Sequence, residues 1–117
     1  MIALVIPVEG PLVEVELDGS LDQLQRLVGG WIQMVPLPGF IDGAERAAAY
    51  VNEEGKLTEH QANRRATDYM VPGAHLLPGD YIAGPLVLCG FDAESGEHAD
   101  LPPAVIARAR LIEQEAG

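Results

Sequence analysis

The chain has a single cysteine, Cys89, a single lysine, Lys56, and no apolar stretch longer than eight residues. One thiol cannot close an internal disulfide. No positively charged leader stands before an apolar segment at the N-terminus, so the sequence predicts a reducing, cytoplasmic setting. A membrane-spanning helix needs about 20 consecutive apolar residues, which the short runs here exclude. Basic side chains are scarce as well: seven Lys and Arg face eighteen Asp and Glu, for a net charge of −11. A surface of that sign repels nucleic-acid phosphates and anionic lipid, and direct binding to nucleic acid is disfavoured.

What is present suffices to fold. At 117 residues and 48% hydrophobic content, one domain can remove roughly two-thirds of its unfolded surface from water, with no need of a metal or disulfide. Six arginines beside one lysine, with abundant Ala, Gly, Pro and Asp, carry the codon bias of a GC-rich genome.

Residues 2–8 read as a short apolar strand, and Glu9-Gly10-Pro11 as a turn. Val13, Val15 and Leu17 then alternate with Glu14, Glu16 and Asp18, the period of a strand with one buried face, so the two runs should pair as an antiparallel hairpin. Ser20 stands at an N-cap with Gln23 as its capping-box partner, before Leu21, Leu24, Leu27 and Val28 at helical spacing. Gly29-Gly30 ends that helix through a left-handed residue. A third strand runs over residues 31–35 and stops at Pro36 and Pro38. Thr58 caps a short helix over 59–69, with Gln61 at the capping-box position. Residues 71–79 form a loop marked by Pro72-Gly73 and Pro78-Gly79. The last strand spans 81–89, where Gly84-Pro85 implies a bulge or an edge position. Asp100 caps a C-terminal helix with Val105, Ala109 and Ile112 on one face. The reading is a single α+β domain over residues 1–117, a mostly antiparallel sheet of about five strands with two or three helices on one face. Within it, 1–90 form a core, 91–100 a polar, mobile loop and 101–114 the C-terminal helix.

Val28-Gly29-Gly30, then Asn52-Glu53-Glu54-Gly55-Lys56, then Asn63-Arg64-Arg65-Ala66-Thr67 occur in an order that resembles a family of small domains of unknown function found in phages, plasmids and actinobacterial genomes. The resemblance covers residues 1–90 and implies that residues 48–52 form a strand running into the Glu53 to Lys56 turn. It lends no activity.

Lys56, His60, Arg64 and Arg65 fall within ten residues of an otherwise acidic chain. On a helix over 59–69, His60 and Arg64 share one face, Gln61 and Arg65 the next, and Asn63 stacks on Thr67. Arginine forks and amides near a helix N-terminus suit phosphate or carboxylate recognition. The plainer reading is that the arginines pair with Glu53, Glu54 or Glu59, and that Asn63 and Thr67 lock the helix to the sheet. Glu53 and Glu54, adjacent in sequence, point apart and form no proton-sharing dyad. Gly55 is read as a positive-φ turn residue. The 92–100 loop lacks the terminal bidentate glutamate of a calcium loop. His60, His75 and His98 lack metal-ligand spacing. Cys89 reads as a small buried hydrophobe, and Trp31 as a core residue before a stacking surface.

These features point to a non-enzymatic accessory protein, without metal or cofactor. It binds a small anionic ligand, a nucleotide signal among them, or a host protein, through Lys56, His60, Asn63, Arg64, Arg65 and Thr67. An acidic DNA mimic that blocks a host nucleic-acid enzyme is the alternative class, and a small hydrolase, requiring histidines and carboxylates to converge in space, the third. The oligomeric state is not legible.

Overall fold

The computed structural model describes residues 1–39, 41–54, 61–70 and 81–116. In chain order the elements are β1 (Ile2–Ile6), β2 (Val13–Glu16), α1 (Leu21–Val28), β3 (Ile32–Pro36), a 3-10 turn (Ala44–Arg46), β4 (Ala47–Asn52), α2 (Arg64–Met70), β5 (Leu86–Phe91), β6 (His98–Ala99) and α3 (Pro103–Ala116). All strand pairs are antiparallel, in the order β2-β1-β5-β4-β3, with β6 continuing beside β5. The α+β domain with a mostly antiparallel sheet is therefore the observed architecture.

Alternation along β5 explains the layers. Leu86 and Leu88 face a core shared with Leu4, Ile6, Ala49 and Val51, which Ala66, Tyr69 and Met70 of α2 and Val105 and Ala109 of α3 cover. Val87 and Cys89 face the other way, onto Ala3, Leu17, and Leu24 and Val28 of α1. Two helices thus share one face, and the third covers the opposite one. The strand for which Gly84-Pro85 implied a bulge or an edge position is instead central, because Gly84 takes φ 78° and Pro85 precedes the ladder without interrupting it.

The first helix follows its sequence signals closely. Ser20 Oγ accepts from the Gln23 amide at 3.3 Å, and Gly29 takes φ 82° while the Gly29 and Gly30 amides both donate to the Gln25 carbonyl. Gln23 Oε1 accepts from the Asp18 amide at 2.7 Å, two residues further back than a capping box would place it, because Asp18 itself accepts from the Ser20 amide.

Other boundaries depart from the sequence reading for identifiable reasons. Residues 61–63 are not helical: Ala62 bridges to Ala83, and α2 begins at Arg64. Thr58, Gly55 and the 71–79 loop lie outside the described residues. Asp100 does not cap α3, since its Oδ1 accepts from the Ile2 amide at 2.7 Å; Pro102 supplies the carbonyl that receives the Val105 amide, and Pro103 takes the first helical position. The 91–100 segment, expected to be mobile, is a hairpin in which the Asp92 amide donates to the Glu97 carbonyl, the Gly96 amide to that of Asp92, and His98 pairs with Phe91.

Gly90 has no space for a side chain. A Cβ there would overlap the Asp100 carbonyl, a backbone atom fixed by β6. Gly90→Ala is expected to cost about 2 kcal/mol, in the range of overpacking a tight site, read as a fall in the urea midpoint. Cys89 is fully buried, and burial pushes its thiol up from an ordinary 9.0 to about 12. It should resist a thiol reagent in the native protein and react promptly in denaturant. Because the folded value lies above the unfolded one, the contribution of this thiol to stability is complete below pH 9 and declines as pH rises towards about 12; urea titrations across that window check the sign.

Candidate functional site

The basic cluster read from the sequence divides once the start of α2 is placed. Asn63 is the N-cap: its Oδ1 accepts from the Ala66 amide at 3.0 Å, satisfying a helix-terminal donor. Its Nδ2 donates to the Ile6 carbonyl at 2.8 Å and to the Gly84 carbonyl at 3.0 Å, and the residue is 0% exposed. Thr67 Oγ1 donates to the Asn63 carbonyl and accepts from the Ile82 amide, both at 2.8 Å. These side chains fasten α2 to the end of β1 and to residues 82–84.

The neighbouring arginines diverge. Arg65, with 17% of its side chain exposed, donates to the Pro7 carbonyl at 2.6 Å and to Glu113 Oε2 at 3.3 Å. The same Glu113 oxygen accepts from the Leu12 amide at 3.0 Å, so the pair clips the β1–β2 connection to α3. Arg64 is 91% exposed and stands 3.9 Å from Asp68, one turn along the helix. The carboxylates that engage the arginines are Asp68 and Glu113 rather than Glu53 or Glu54. Lys56 and His60 lie outside the described residues. Since residues 61–63 are not helical, the stacking of Gln61 on Arg65 by helical spacing does not hold.

A second feature was not visible in the sequence. An open cleft of about 510 Å³ is lined by Met1, Leu17, Asp18, Gly19, Gly96, Glu97 and His98. Beside it, the Tyr50 hydroxyl lies 3.0 Å from His98 Nε2, with the rings edge to face. Burial, followed by the neighbouring Cys89, raises the Tyr50 ionisation, so the hydroxyl keeps its proton. Hydrogen bonds from Ser20, its backbone amide first, hold the exposed Asp18 carboxyl below its ordinary 3.8. A rim carrying Asp18 and Glu97 as carboxylates repels anions. Ser20 is engaged in capping and Cys89 is buried and protonated, so neither is an activated nucleophile. Among the described residues, no group of His, Cys, Asp and Glu is placed to hold a metal. The cleft residues come from distant stretches that only strand pairing brings together, and no local spacing could have announced them.

The third feature is the β3 edge of the sheet. Trp31 is 67% exposed and Met34 60% exposed, where a core tryptophan was expected. Among the described residues β3 has β4 on one side only, and no described strand pairs with its outer backbone groups. The sequence signal was the absence of charge from Leu27 to Ile41, the longest run in the chain without Asp, Glu, Lys or Arg.

The family model described as Domain of unknown function (DUF3846) matches residues 1–115. The chain belongs to this family. The DUF3846 match runs beyond residue 90, where the sequence resemblance stopped, and takes in α3, which contributes Val105 and Ala109 to the core. No curated protein and no solved structure matches the chain. No helix among the described residues is long and apolar enough to cross a membrane.

The geometry separates half-buried, structural basic residues from exposed ones. Arg64→Ala should change stability by less than about 0.5 kcal/mol, as for exposed surface positions. Asn63→Ala, which removes the side-chain partner of two buried carbonyls and of a helix amide, should cost about 2 to 4 kcal/mol. Arg65→Ala should cost about 1 to 3 kcal/mol through lost hydrogen bonds to Pro7 and Glu113. Denaturant titration of the three variants checks the ranking; equal effects at Arg64 and Arg65 would contradict their different placement.

Proposed function

We propose that this DUF3846 protein is a non-enzymatic accessory protein, of phage, plasmid or actinobacterial origin and cytoplasmic, that acts by binding a protein partner along the open edge formed by β3. The observation that carries this reading is the exposure of Trp31, immediately before β3, and of Met34 within it, on an edge strand with no charged side chain. Exposed, uncharged edges invite strand addition, and soluble proteins ordinarily guard them with charge. The opposite edge is so guarded: β2 carries Glu14 and Glu16, and Asp18 follows. Tryptophan and methionine are also side chains suited to the apolar centre of an interface.

The small-anion reading draws less support. Asn63, Thr67 and Arg65 spend their polar atoms inside the fold, and Arg64 stands alone of the described basic residues in that cluster, facing solvent. The cleft beside His98 presents carboxylates, the wrong sign for phosphate.

Trp31 is the chain's single tryptophan, so its emission reports on the edge directly. In the free protein it should emit as a solvated indole and be quenched readily by acrylamide. A purified partner recovered from the source cell should shift that emission to the blue and protect it from quenching. Met34→Lys should leave thermal melting unchanged and abolish both effects. A partner that binds Met34→Lys as tightly as the native protein, or that leaves Trp31 open to quenching, would overturn the edge reading. A melting shift with nucleotides or phosphate, lost in Arg64→Ala, would restore the anionic ligand in its place.

A further inference from the structure

We infer that the β3 edge pairs with the β3 edge of a second copy of this chain, in one register centred on Gln33, so that two sheets join into one. The inference rests on the reading of β3 as a docking edge and names its occupant.

The outward-facing backbone groups follow from the ladder. The Glu53 amide donates to the Trp31 carbonyl at 2.8 Å, and β3 pairs with β4 as Ile32↔Asn52, Gln33↔Val51, Met34↔Tyr50 and Val35↔Ala49. Antiparallel pairs alternate between hydrogen-bonded and non-hydrogen-bonded. Trp31, Gln33 and Val35 therefore spend their backbone groups on β4, and Ile32, Met34 and Pro36 turn theirs outward. Pro36 is tolerated at its position because the amide it lacks would have pointed away from the sheet.

The outward set is self-complementary in a single way. With Gln33 opposite Gln33 of the second copy, Ile32 faces Met34 across the junction, and the amide and carbonyl of each meet the carbonyl and amide of the other. Centring on Met34 would put Ile32 against Pro36, which has no amide to give. Centring on Ile32 would put Met34 against Gly30, whose amide already donates to the Gln25 carbonyl at 3.0 Å. Only the Gln33 register gives both outward carbonyls, those of Ile32 and Met34, a free amide to accept from.

Side chains agree with that register. Opposed residues in an antiparallel pair share a face, so the exposed Met34 lies against the half-buried Ile32 of the second copy, and the exposed Trp31 against the half-buried Val35. The Gln33 side chains meet on the two-fold axis, as a neutral amide pair. Charge selects the same sector. Two copies each carrying −11 repel over most of their surfaces, and residues 27–41 are a stretch without charge through which they can approach. The ladder is short, which puts the contact in the small, transient class below about 1,200 Å². The dimer should therefore be concentration-dependent.

The test combines sedimentation with register-specific cross-linking. Native protein should move from monomer to dimer across the micromolar range in analytical ultracentrifugation, with Trp31 emission moving to the blue in step. Under mild oxidation Gln33→Cys should form an intermolecular disulfide several-fold faster than Met34→Cys, because opposed positions of a non-hydrogen-bonded pair fall within disulfide reach; the buried Cys89 stays silent. Far-UV circular dichroism shows that both variants fold. Faster cross-linking of Met34→Cys would overturn the register. A monomer at all concentrations, with no preferential cross-link, would overturn self-pairing. The broader edge reading would then stand or fall separately, on protection of Trp31 by a different protein.

Discussion

Leu86 to Phe91 lies in the middle of the sheet with apolar side chains on both faces, and the rest of the molecule is arranged to keep water from both. Leu86 and Leu88 require α2 and α3 above them; Val87 and Cys89 require α1 below. Each strand placed outward from β5 is less completely covered, until β2 and β3 end the sheet with half-buried or exposed residues. The same burial holds the Cys89 thiol protonated and leaves no room for a side chain at Gly90. Coverage of one strand thus sets helix placement, thiol chemistry and the tightness of the β6 turn together.

Holding α2 over β5 falls largely to polar groups. An asparagine amide inside an apolar core is costly unless its hydrogen-bonding capacity is met, and Asn63 meets it with carbonyls from Ile6 and Gly84 and an amide from its own helix. Asn52 plays a comparable part on the other face, where its Nδ2 donates to the Val28 carbonyl at 3.1 Å and its Oδ1 accepts from the Glu54 amide at 2.8 Å. Tyr69 joins α2 to α3 by donating to the Val105 carbonyl at 3.1 Å, while the Arg108 guanidinium lies 5.2 Å from its ring centre. Directional bonds at these points specify how helices sit on a sheet whose apolar contacts are non-directional.

The distribution of charge gives the two sheet edges different characters. Glu14 on β2 is met by Arg110 at 3.4 Å, and its neighbours Glu16 and Asp18 keep that edge acidic. β3 carries no charge, and no described element covers its outer edge. A protein with so large a negative charge stays dispersed by repulsion, which lowers the hazard of leaving one edge plain and allows that edge to select a neutral, strand-like occupant.

By itself the sequence determined those features that depend on neighbours along the chain. Alternation of Val13, Val15 and Leu17 marked the hairpin, and Ser20 and Gly29 bounded the first helix; both rest on local periodicity, capping or turn geometry, whereas the Ala48 to Asn52 strand was placed through the resemblance alone. Tertiary structure decided what depends on residues far apart. Asp100 reads as a helix cap until β1 offers it the Ile2 amide, and Asn63 reads as a ligand group until the Ile6 and Gly84 carbonyls surround it. Trp31 reads as core until strand order leaves β3 at the edge. Local signals say which backbone conformation a segment prefers. Which polar atoms are spent inside and which apolar ones are left outside is fixed only when strands and helices distant in sequence meet.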